Sequence, residues 1–370
     1  MSSTRNSIRT YRILCIGETW IGSNSRTAFL ALRRLGMSIQ VVDEHIYHPA
    51  PWRSTHMRII RRLLRPFLVR ELMSYVKGLV ATFRPDGVFV FKGNAVHPDL
   101  LHFFKTHGIP VVNFYPDVSI WTHGPYIPRA LPLYDHIFTS KSWGIQDMCE
   151  QLKVRDISFL EYGFDPELDQ PRVLTVRDYA DYGCDVVFIG TWSPKKEKLL
   201  AHLKRALPVC NLKIWGIYWD KSSSPELESS IVGEEIIGES YSTVLQASSI
   251  CLGILSEVRT GASSGDLITN RTFNIPASGA FMLHERNEES VRYFKEDEEA
   301  GFFGTPDELV DRVRFYLANP EVRKQVAQRG RERCLVDGYS VDERMIRVVE
   351  WFDKRLSAKA GDPDRSIASP

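Results

Sequence analysis

The chain has 370 residues, 43% of them hydrophobic, with 47 Lys and Arg against 46 Asp and Glu. This length predicts two domains, and a net charge of +1 argues against a nucleic-acid-binding protein, which usually has a strongly basic domain. The first ten residues lack the apolar core of a secretory signal, and no apolar run predicts a membrane span. The six cysteines are scattered, as in a reducing compartment, so we expect a cytoplasmic protein.

The charge is unevenly divided along the chain. Residues 1–165 hold 20 Lys and Arg against 13 Asp and Glu, whereas the rest hold 27 against 33. A basic N-terminal half favours an anionic partner, which could be a phosphate-bearing acceptor or a membrane surface.

Apolar runs alternate with helical patterns through the first half of the chain. Short buried runs predict strands, and apolar residues at helical spacing predict the helices between them. The predicted strands are 12–17, 38–43, 88–92, 110–114 and 157–160, and the predicted helices are 25–35, 57–83, 97–107 and 140–152. This alternation indicates a parallel sheet covered by helices, which is a Rossmann-like domain over residues 9–165.

The same pattern returns after a Pro-containing stretch at 163–182, which is typical of a linker. We predict a second Rossmann-like domain over 180–338. Its predicted strands are 185–189, 212–215, 235–237, 250–254 and 280–283, and its predicted helices are 195–207, 241–247, 270–277, 306–319 and 320–334. A last helix at 341–356 is a candidate to pack back on the first domain, and 357–370 is predicted to be a disordered tail. The fold class is α/β, with two Rossmann-like domains facing across a cleft.

The first loop of the second domain resembles an anion site. It begins at Gly190, which lets a ligand approach the backbone, and it leads into a helix whose free N–H groups attract an anion. Lys195 or Lys196 can add charge against a diphosphate. The alternative is an ordinary capped helix with exposed lysines.

A second segment places a carboxylate, a guanidinium and an amide around another helix start. Asp266 and Asn274 bracket Arg271, and this set suits sugar hydroxyls and a pyrophosphate. The alternative is a helix N-cap region with a local Asp–Arg pair.

The stretches 186–192, 236–255, 271–283 and 301–330 resemble the CgeB-like (spore maturation protein) glycosyltransferases, which are related to the family 4 (group 1) glycosyltransferases of GT-B fold. The resemblance implies a nucleotide-diphosphate sugar, such as a UDP-sugar, bound by the C-terminal domain. It implies that Arg271 meets the diphosphate. Asp266 and Asn274 match two positions that are Glu in the wider group, so both depart from the family pattern.

The resemblance also implies roles for residues earlier in the second domain. Gly190, Thr191 and Lys196 match the phosphate-contacting loop of the family. Ile237 falls where the backbone of the wider group meets the nucleobase.

Several metal and cofactor motifs are missing from the sequence. It has no D-x-D beside an apolar strand, no H-E-x-x-H and no Cys/His cluster. We therefore expect no metal and no cofactor beyond the nucleotide sugar as co-substrate. Charge on the departing diphosphate would be met by Arg271, a lysine and a helix N-terminus.

Two residues of the first domain are candidates for catalysis. Asp117 follows a predicted strand and could act as a base, although a Pro-Asp at this position is more often a turn or helix cap. His97 also follows a strand and could bond the sugar or a phosphate; the alternative is a surface histidine that begins a helix.

A basic amphipathic stretch at 53–70 runs from Arg53 to Arg70 with six arginines. Such a stretch can rest on an anionic membrane at its inner face or hold a lipid-phosphate acceptor, and the alternative is a packed helix with solvated arginines. Pro66 is expected to interrupt it.

The leading hypothesis is a hexosyltransferase-type enzyme of polysaccharide biosynthesis or a related pathway, acting on a glycan, lipid-phosphate or small-molecule acceptor. One alternative is a non-catalytic nucleotide- or glycan-binding relative, suggested by Asp266 and Asn274. The other is a nucleotide-sugar epimerase on the same fold.

Overall fold

The structure is a computed structural model that describes residues 9–47 and 55–360. The chain divides into two compact units. The first comprises Met1–Glu161, Arg259–Ser263 and Asp342–Pro370, and the second comprises Tyr162–Val258 and Ser264–Val341.

The first unit is a parallel sheet with helices. Its strands are β1 (Arg12–Gly17), β2 (Ser38–Asp43), β3 (Gly87–Phe91), β4 (Val111–Tyr115), β5 (His136–Thr139) and β6 (Ile157–Phe159). Its helices are α1 (Asn24–Arg34), α2 (Thr55–Phe83), α3 (Pro98–Thr106), α4 (Ile127–Ala130), α5 (Gly144–Leu152) and the last helix α13 (Val341–Ala360), with a 3-10 turn at Leu131–Leu133. The strand order is β2-β1-β3-β4-β5-β6, and all pairs are parallel.

The second unit has the same kind of sheet. Its strands are β7 (Cys184–Ile189), β8 (Leu212–Trp215), β9 (Ser248–Gly253), β10 (Met282–Glu285) and β11 (Gly301–Phe303). Its helices are α6 (Val176–Tyr182), α7 (Pro194–Ala206), α8 (Glu239–Ala247), α9 (Asn270–Ala277), α10 (Ser290–Tyr293), α11 (Pro306–Ala318) and α12 (Pro320–Val336), with 3-10 helices at Trp219–Lys221 and Pro225–Ser230. The order is β11-β10-β9-β7-β8, again all parallel.

The two sheets share one topology. Counted from the first strand of each unit, both contain the order 2-1-3-4-5, which is a doubly wound Rossmann-like arrangement. The order reverses between β1 and β3 in the first sheet and between β7 and β9 in the second. Ligands of such sheets bind beyond the carboxyl ends of the strands at this switch point. The prediction of two Rossmann-like α/β domains is confirmed.

Several predicted elements differ from the structure. The strand predicted at 235–237 is wrong because that segment has no regular structure, and the short strands β5 and β11 were missed. The predicted linker at 163–182 lies in the second unit, where Phe164 forms a parallel bridge with Ser340 and α6 forms. These short segments depend on distant partners, so local patterning does not identify them.

Helix α2 runs without interruption through Pro66, so the predicted break is wrong. An interior proline costs a helix about 3 kcal/mol because it removes an N–H and crowds the preceding turn. The part of α2 after it buries Leu72, Val76 and Val80 in the core of the first unit. Each such burial contributes about 1.5–3 kcal/mol, which offsets the cost of the proline.

Helix α13 packs on the first unit. Asp342 forms an ion pair with Arg34, and the ring of Phe352 lies against Gly87, where a Cβ would collide with it. The helix extends to Ala360, so residues 357–360 of the predicted tail are helical, and 361–370 lie outside the described residues. Among the helices described, none is long and apolar enough to cross a membrane.

Candidate functional site

The switch point of the second sheet is occupied by Arg271, in the first turn of α9. Its Nη2 donates a hydrogen bond to the carbonyl of Ile254 at 2.8 Å, and its Nη1 donates to the carbonyl of Ile189 at 3.4 Å. The guanidinium carbon also lies 5.5 Å from the ring centre of Phe188. The guanidinium therefore spans the carboxyl ends of β7 and β9.

No carboxylate in the described part of the chain forms an ion pair with Arg271. The local pair between Asp266 and Arg271, which was the alternative interpretation of this segment, is therefore not what the structure contains. A guanidinium held only by carbonyl groups keeps its positive charge uncompensated at the edge of the sheet, where it can attract an anion.

Gly190 makes room for this guanidinium. A Cβ at position 190 would lie 3.1 Å from Arg271 Nη1 and 2.9 Å from the Phe188 ring. The carbonyl of Gly190 accepts a hydrogen bond from Trp219 Nε1 at 2.9 Å. Gly216, just after β8, has a φ of 127° and approaches so closely that a Cβ would collide with the Gly190 carbonyl. Sequence reasoning missed Gly216, although a glycine directly after a strand is a usable signal.

The two lysines of α7 have different surroundings. Lys196 is 5% exposed, and its Nζ donates to the carbonyl of Thr191 at 3.1 Å, so it supports the loop from within. The Lys195 side chain is 38% exposed, and its Nζ forms a 2.6 Å ion pair with Glu285. The sequence left Lys195 and Lys196 open for the diphosphate and the family resemblance pointed to Lys196, whereas the structure makes Lys195 the lysine better placed for a solvent-borne anion.

Asn274 lies one turn after Arg271 on the same face of α9. Its Oδ1 is buried and has no hydrogen-bond partner among the residues that the structure describes. Asp266 stands at the base of a loop, where its backbone N–H donates to the carbonyl of Ser256 at 2.9 Å. Ser256 Oγ in turn lies 3.4 Å from Lys196 Nζ. Asp266 is thereby placed next to the loop that follows β7.

A buried histidine supports the start of α9. His284 Nδ1 lies 2.7 Å from the carbonyl of Glu285, and its Nε2 lies 3.0 Å from Thr272 Oγ1. Burial lowers the pKa of His284 to about 4, so the ring is neutral near pH 7. Nδ1 then donates to the carbonyl and Nε2 accepts from the threonine. Gly253 is required beside it, because a Cβ there would collide with the imidazole.

Ile237 lies in an irregular segment at the carboxyl end of β8. The segment is joined to the sheet by bonds from Val232 N–H to the Ile214 carbonyl and from Gly216 N–H to the Glu234 carbonyl. The Ile237 side chain is exposed, at 39%. The structure thus brings Gly190, Thr191, Lys196 and Arg271 into one contact network, with Ile237 on an adjacent segment.

In the first unit, Asp117 is held by a lysine and a histidine. Its Oδ2 lies 2.8 Å from Lys92 Nζ and 3.3 Å from His123 Nε2. Loss of water raises the pKa of Asp117, but Lys92 and His123 outweigh that effect and lower the pKa overall. An ionised carboxylate with a lowered pKa is a weak base, which argues against the role expected for Asp117. Lys92 and His123 were missed, although Lys92 directly follows a strand.

His97 is the N-cap residue of α3. Its Nδ1 accepts a hydrogen bond from the backbone N–H of Asp99 at 3.2 Å, and its ring contacts Tyr126 with centres 5.0 Å apart. This geometry matches the alternative interpretation, in which His97 begins a helix, and it occupies one of the two ring nitrogens.

The stretch from Arg53 to Arg70 is only partly described: Arg53 lies outside the described residues, and side chains are described from Leu63 onward. Arg65 docks on the unit, since its Nη2 donates to the Asn94 carbonyl and its guanidinium lies 4.6 Å from the Tyr126 ring centre. Leu63 and Phe67 are 68% and 67% exposed. One face of this helix therefore packs, and another presents apolar side chains to solvent.

Within the described part of the chain, no group of three or more His, Cys, Asp or Glu is placed to hold a metal ion. None of the six cysteines, all of which lie in the described part of the chain, forms a disulfide, and Cys149 is the only one of them that is not fully buried.

Comparisons with known proteins agree with this architecture. Residues 195–350 match a family model described as glycosyl transferase-like. Sucrose-phosphate synthase from Thermosynechococcus elongatus is 12% identical with a TM-score of 0.66, covering 95% of this chain and 100% of that one. Anabaena HepE in complex with UDP-glucose is 11% identical with a TM-score of 0.60, covering 94% and 100%.

A third similar structure is a Listeria monocytogenes protein described as a UDP-N-acetylglucosamine 2-epimerase, at 10% identity and a TM-score of 0.57, covering 95% and 98%. No curated protein sequence matches the chain. At these identities the structural likeness shows the fold. The chain therefore has the GT-B fold of two Rossmann-like domains, with a glycosyl transferase-like region at residues 195–350.

Proposed function

We propose that this protein is a glycosyltransferase whose nucleotide-diphosphate sugar binds at the carboxyl edge of the second sheet. The observation that carries the proposal is the position of Arg271, which spans the ends of β7 and β9 with no carboxylate partner among the described residues. This is the place where doubly wound sheets bind nucleotides.

The diphosphate is assigned to Arg271, Lys195 and the first turn of α7. A guanidinium has five N–H donors, and hydrogen bonds to two carbonyls leave donors for phosphate oxygens. The N-terminus of α7 adds the positive end of the helix dipole. Gly190, which has no side chain, and Thr191, whose side chain is small, let the phosphate approach the backbone. Lys196 holds that loop in place through the Thr191 carbonyl.

The nucleoside is assigned to the remaining residues of the same edge. Asn274 Oδ1, which has no hydrogen-bond partner in the described ranges, can accept a bond from a ribose hydroxyl, with Asp266 as a second polar group. Ile237 presents an exposed apolar side chain to the base. The UDP-glucose complex of HepE, which has a similar fold, supports a UDP-sugar, and the CgeB-like resemblance supports this placement within the group 1 glycosyltransferases.

In the reaction, the bond between the anomeric carbon and the diphosphate breaks, and an acceptor oxygen bonds to that carbon and loses its proton. Negative charge grows on the departing diphosphate. Arg271, Lys195 and the α7 N-terminus would stabilise this charge, so the proposed mechanism needs no metal.

On the first unit we assign the acceptor to the group around Asp117. The carboxylate holds His123 Nε2, which leaves His123 Nδ1 available to take a proton from a hydroxyl. Burial lowers the pKa of His123, so the ring is neutral and able to accept one near pH 7. The basic charge of residues 1–165 favours an acceptor with phosphate, such as a lipid phosphate, over a neutral glycan or small molecule. The exposed Leu63 and Phe67 support peripheral contact with a membrane from the cytoplasm.

The test combines binding with turnover. Calorimetric titration of UDP, GDP, ADP and UDP-glucose should show saturable binding. Arg271→Ala should weaken this binding. Arg292→Ala, which replaces an exposed arginine of the same unit, is the matched control and should leave it unchanged. Mass spectrometry of reactions with and without a lipid-phosphate or saccharide acceptor should then detect sugar transfer. If no nucleotide binds to the folded protein, the proposal is wrong.

An epimerase is the second candidate, favoured by the similarity to the Listeria protein. An epimerised nucleotide sugar formed with no acceptor present would support it. Tight nucleotide binding without turnover on any acceptor would instead indicate a non-catalytic relative, in keeping with Asp266 and Asn274 in place of two Glu.

A further inference from the structure

A cavity of about 610 Å³ opens at the amino edge of the second sheet. It lies between α12, the segment 171–174, the beginning of β9 at Ser248 and Ser249, and the residues just before β10. The proposed donor site is at the other end of the same strands. Six residues of β9 at about 3.3 Å each separate the two edges by roughly 20 Å.

The cavity is lined by cations. One face of α12 contributes most of them, because residues three, four and seven apart share a helix face. The cationic lining residues are Arg172, Arg323, Lys324 and Arg331, and no Asp or Glu is among the described residues of the lining.

The guanidinium groups are incompletely compensated. Arg331 forms no ion pair with any described residue, and its buried Nε has no hydrogen-bond partner among them. The buried Nε of Arg172 likewise has no partner in the described part of the chain, although its Nη1 lies 3.3 Å from the exposed Glu239. Buried cationic donors without acceptors are costly, so a ligand that supplies acceptors would stabilise this cavity.

Arg323, another residue of the cavity lining, is fixed by two contacts. It donates to the Tyr316 carbonyl at 2.6 Å and lies 3.4 Å from Ser249 Oγ, and it also has no carboxylate partner among the described residues. These contacts hold the Arg323 guanidinium in place beside the Ser249 hydroxyl, as an anion site requires.

We propose that this amino-edge cavity is a second binding site, distinct from the donor site, for a small phosphate ester. A volume of 610 Å³ lies within the range of small-molecule pockets. A phosphate monoester carries close to two negative charges and several acceptor oxygens, which match two guanidinium groups better than a carboxylate does. The ring of Tyr179, an exposed residue of the cavity lining, offers an apolar face to the rest of the ligand.

The test is calorimetric titration of the full chain with glucose 6-phosphate, inorganic phosphate and glucose. Saturable binding is expected for the phosphate ester, weaker binding for inorganic phosphate and none for glucose. Arg331→Ala should weaken binding of glucose 6-phosphate by at least about tenfold, because a hydrogen bond to a charged group is lost. Arg329→Ala, an exposed arginine on the same helix, should change it by less than about twofold.

UDP binding serves as the folding control and separates the two sites. Arg331→Ala should leave UDP affinity unchanged, and Arg271→Ala should leave glucose 6-phosphate affinity unchanged. The proposal is overturned if no phosphate ester binds saturably, if Arg329→Ala weakens binding as much as Arg331→Ala, or if Arg271→Ala abolishes it. Arg331→Lys, which keeps the charge, should retain more affinity than Arg331→Ala.

Discussion

The switch points of the two sheets have the same position in the topology and opposite charge. In the first sheet, Glu44 joins the strand ends: its N–H donates to the Gly17 carbonyl, and its carboxylate accepts from Ala95 N–H at 3.1 Å. In the second sheet, Arg271 joins them through two carbonyls. Topology thus defines where a ligand can bind, and one side chain decides which charge it must have.

The surroundings reinforce the difference. Near Glu44, the cation of Lys92 is neutralised by Asp117 at 2.8 Å, and burial raises the pKa of Glu44 to about 7. Near Arg271, Lys195 forms a 2.6 Å ion pair with Glu285, and no carboxylate of the described residues forms an ion pair with Arg271 itself. The second switch point therefore offers a diphosphate a guanidinium with no carboxylate partner among the described residues, which the first does not.

The largest expected effect comes from Gly216→Ala, because it disturbs the loop that makes room for Arg271. The new Cβ would collide with the Gly190 carbonyl at a φ of 127°. Strain and overpacking together should lower the free energy of unfolding by about 4 kcal/mol. In Gly36→Ala, where φ is 85° but nothing lies within 4 Å, the loss should be about 1 kcal/mol. Urea unfolding measures both, and equal losses would contradict the packing described here.

The next largest effect is the dependence of the free energy of unfolding on pH that Glu44 causes at the switch point of the first sheet. Because the folded pKa of Glu44, about 7, lies above the unfolded value of 4.5, its contribution to stability is complete below pH 4.5 and is lost as pH rises through 7. Glu44→Gln removes this loss, so the variant should be more stable than the parent by about 3 kcal/mol at pH 9 and similar at pH 4. Urea unfolding across this pH range is the measurement. Glu71→Gln, at an exposed carboxylate, is the control, and a stability difference for Glu44→Gln that does not change with pH would refute the assignment.

Arg271→Ala tests the basic switch point directly. Loss of hydrogen bonds to a charged ligand should weaken UDP binding by about 2 kcal/mol, or about thirtyfold. Calorimetric titration measures the change, with Arg292→Ala as the matched control. Unchanged affinity for UDP, GDP and ADP would remove Arg271 from the site.

Lys195→Ala should have the smallest effect on UDP binding, about 1 kcal/mol, because the ammonium is partly exposed and already paired with Glu285. The effect should shrink in high salt, since exposed charges are screened. Titration at low and high salt tests this, and Lys198→Ala, an exposed lysine on the same helix, is the control. A loss as large as that of Arg271→Ala would mean that the lysine is the main diphosphate ligand.

Local patterning determined most of the regular structure in advance. The predicted bounds of β1, β2, β8 and α9 agree with the structure, because each is an apolar run or a periodic stretch bounded by Gly, Pro or a capping residue. The alternation of these elements was sufficient to predict two parallel sheets. It also placed Arg271 at a helix start, since that depends on residues within one turn.

Contacts between residues that are distant in sequence were determined only by the tertiary structure. The carbonyls that hold Arg271 lie 17 and 82 residues away, and the cations of the amino-edge cavity come from segments around 172 and 323–331. The continuity of α2 through Pro66 and the docking of α13 on the first unit likewise depend on burial against the core. The spacing of apolar residues shows which face of an element is apolar. Hydrogen bonding and packing between elements determine which other element that face contacts.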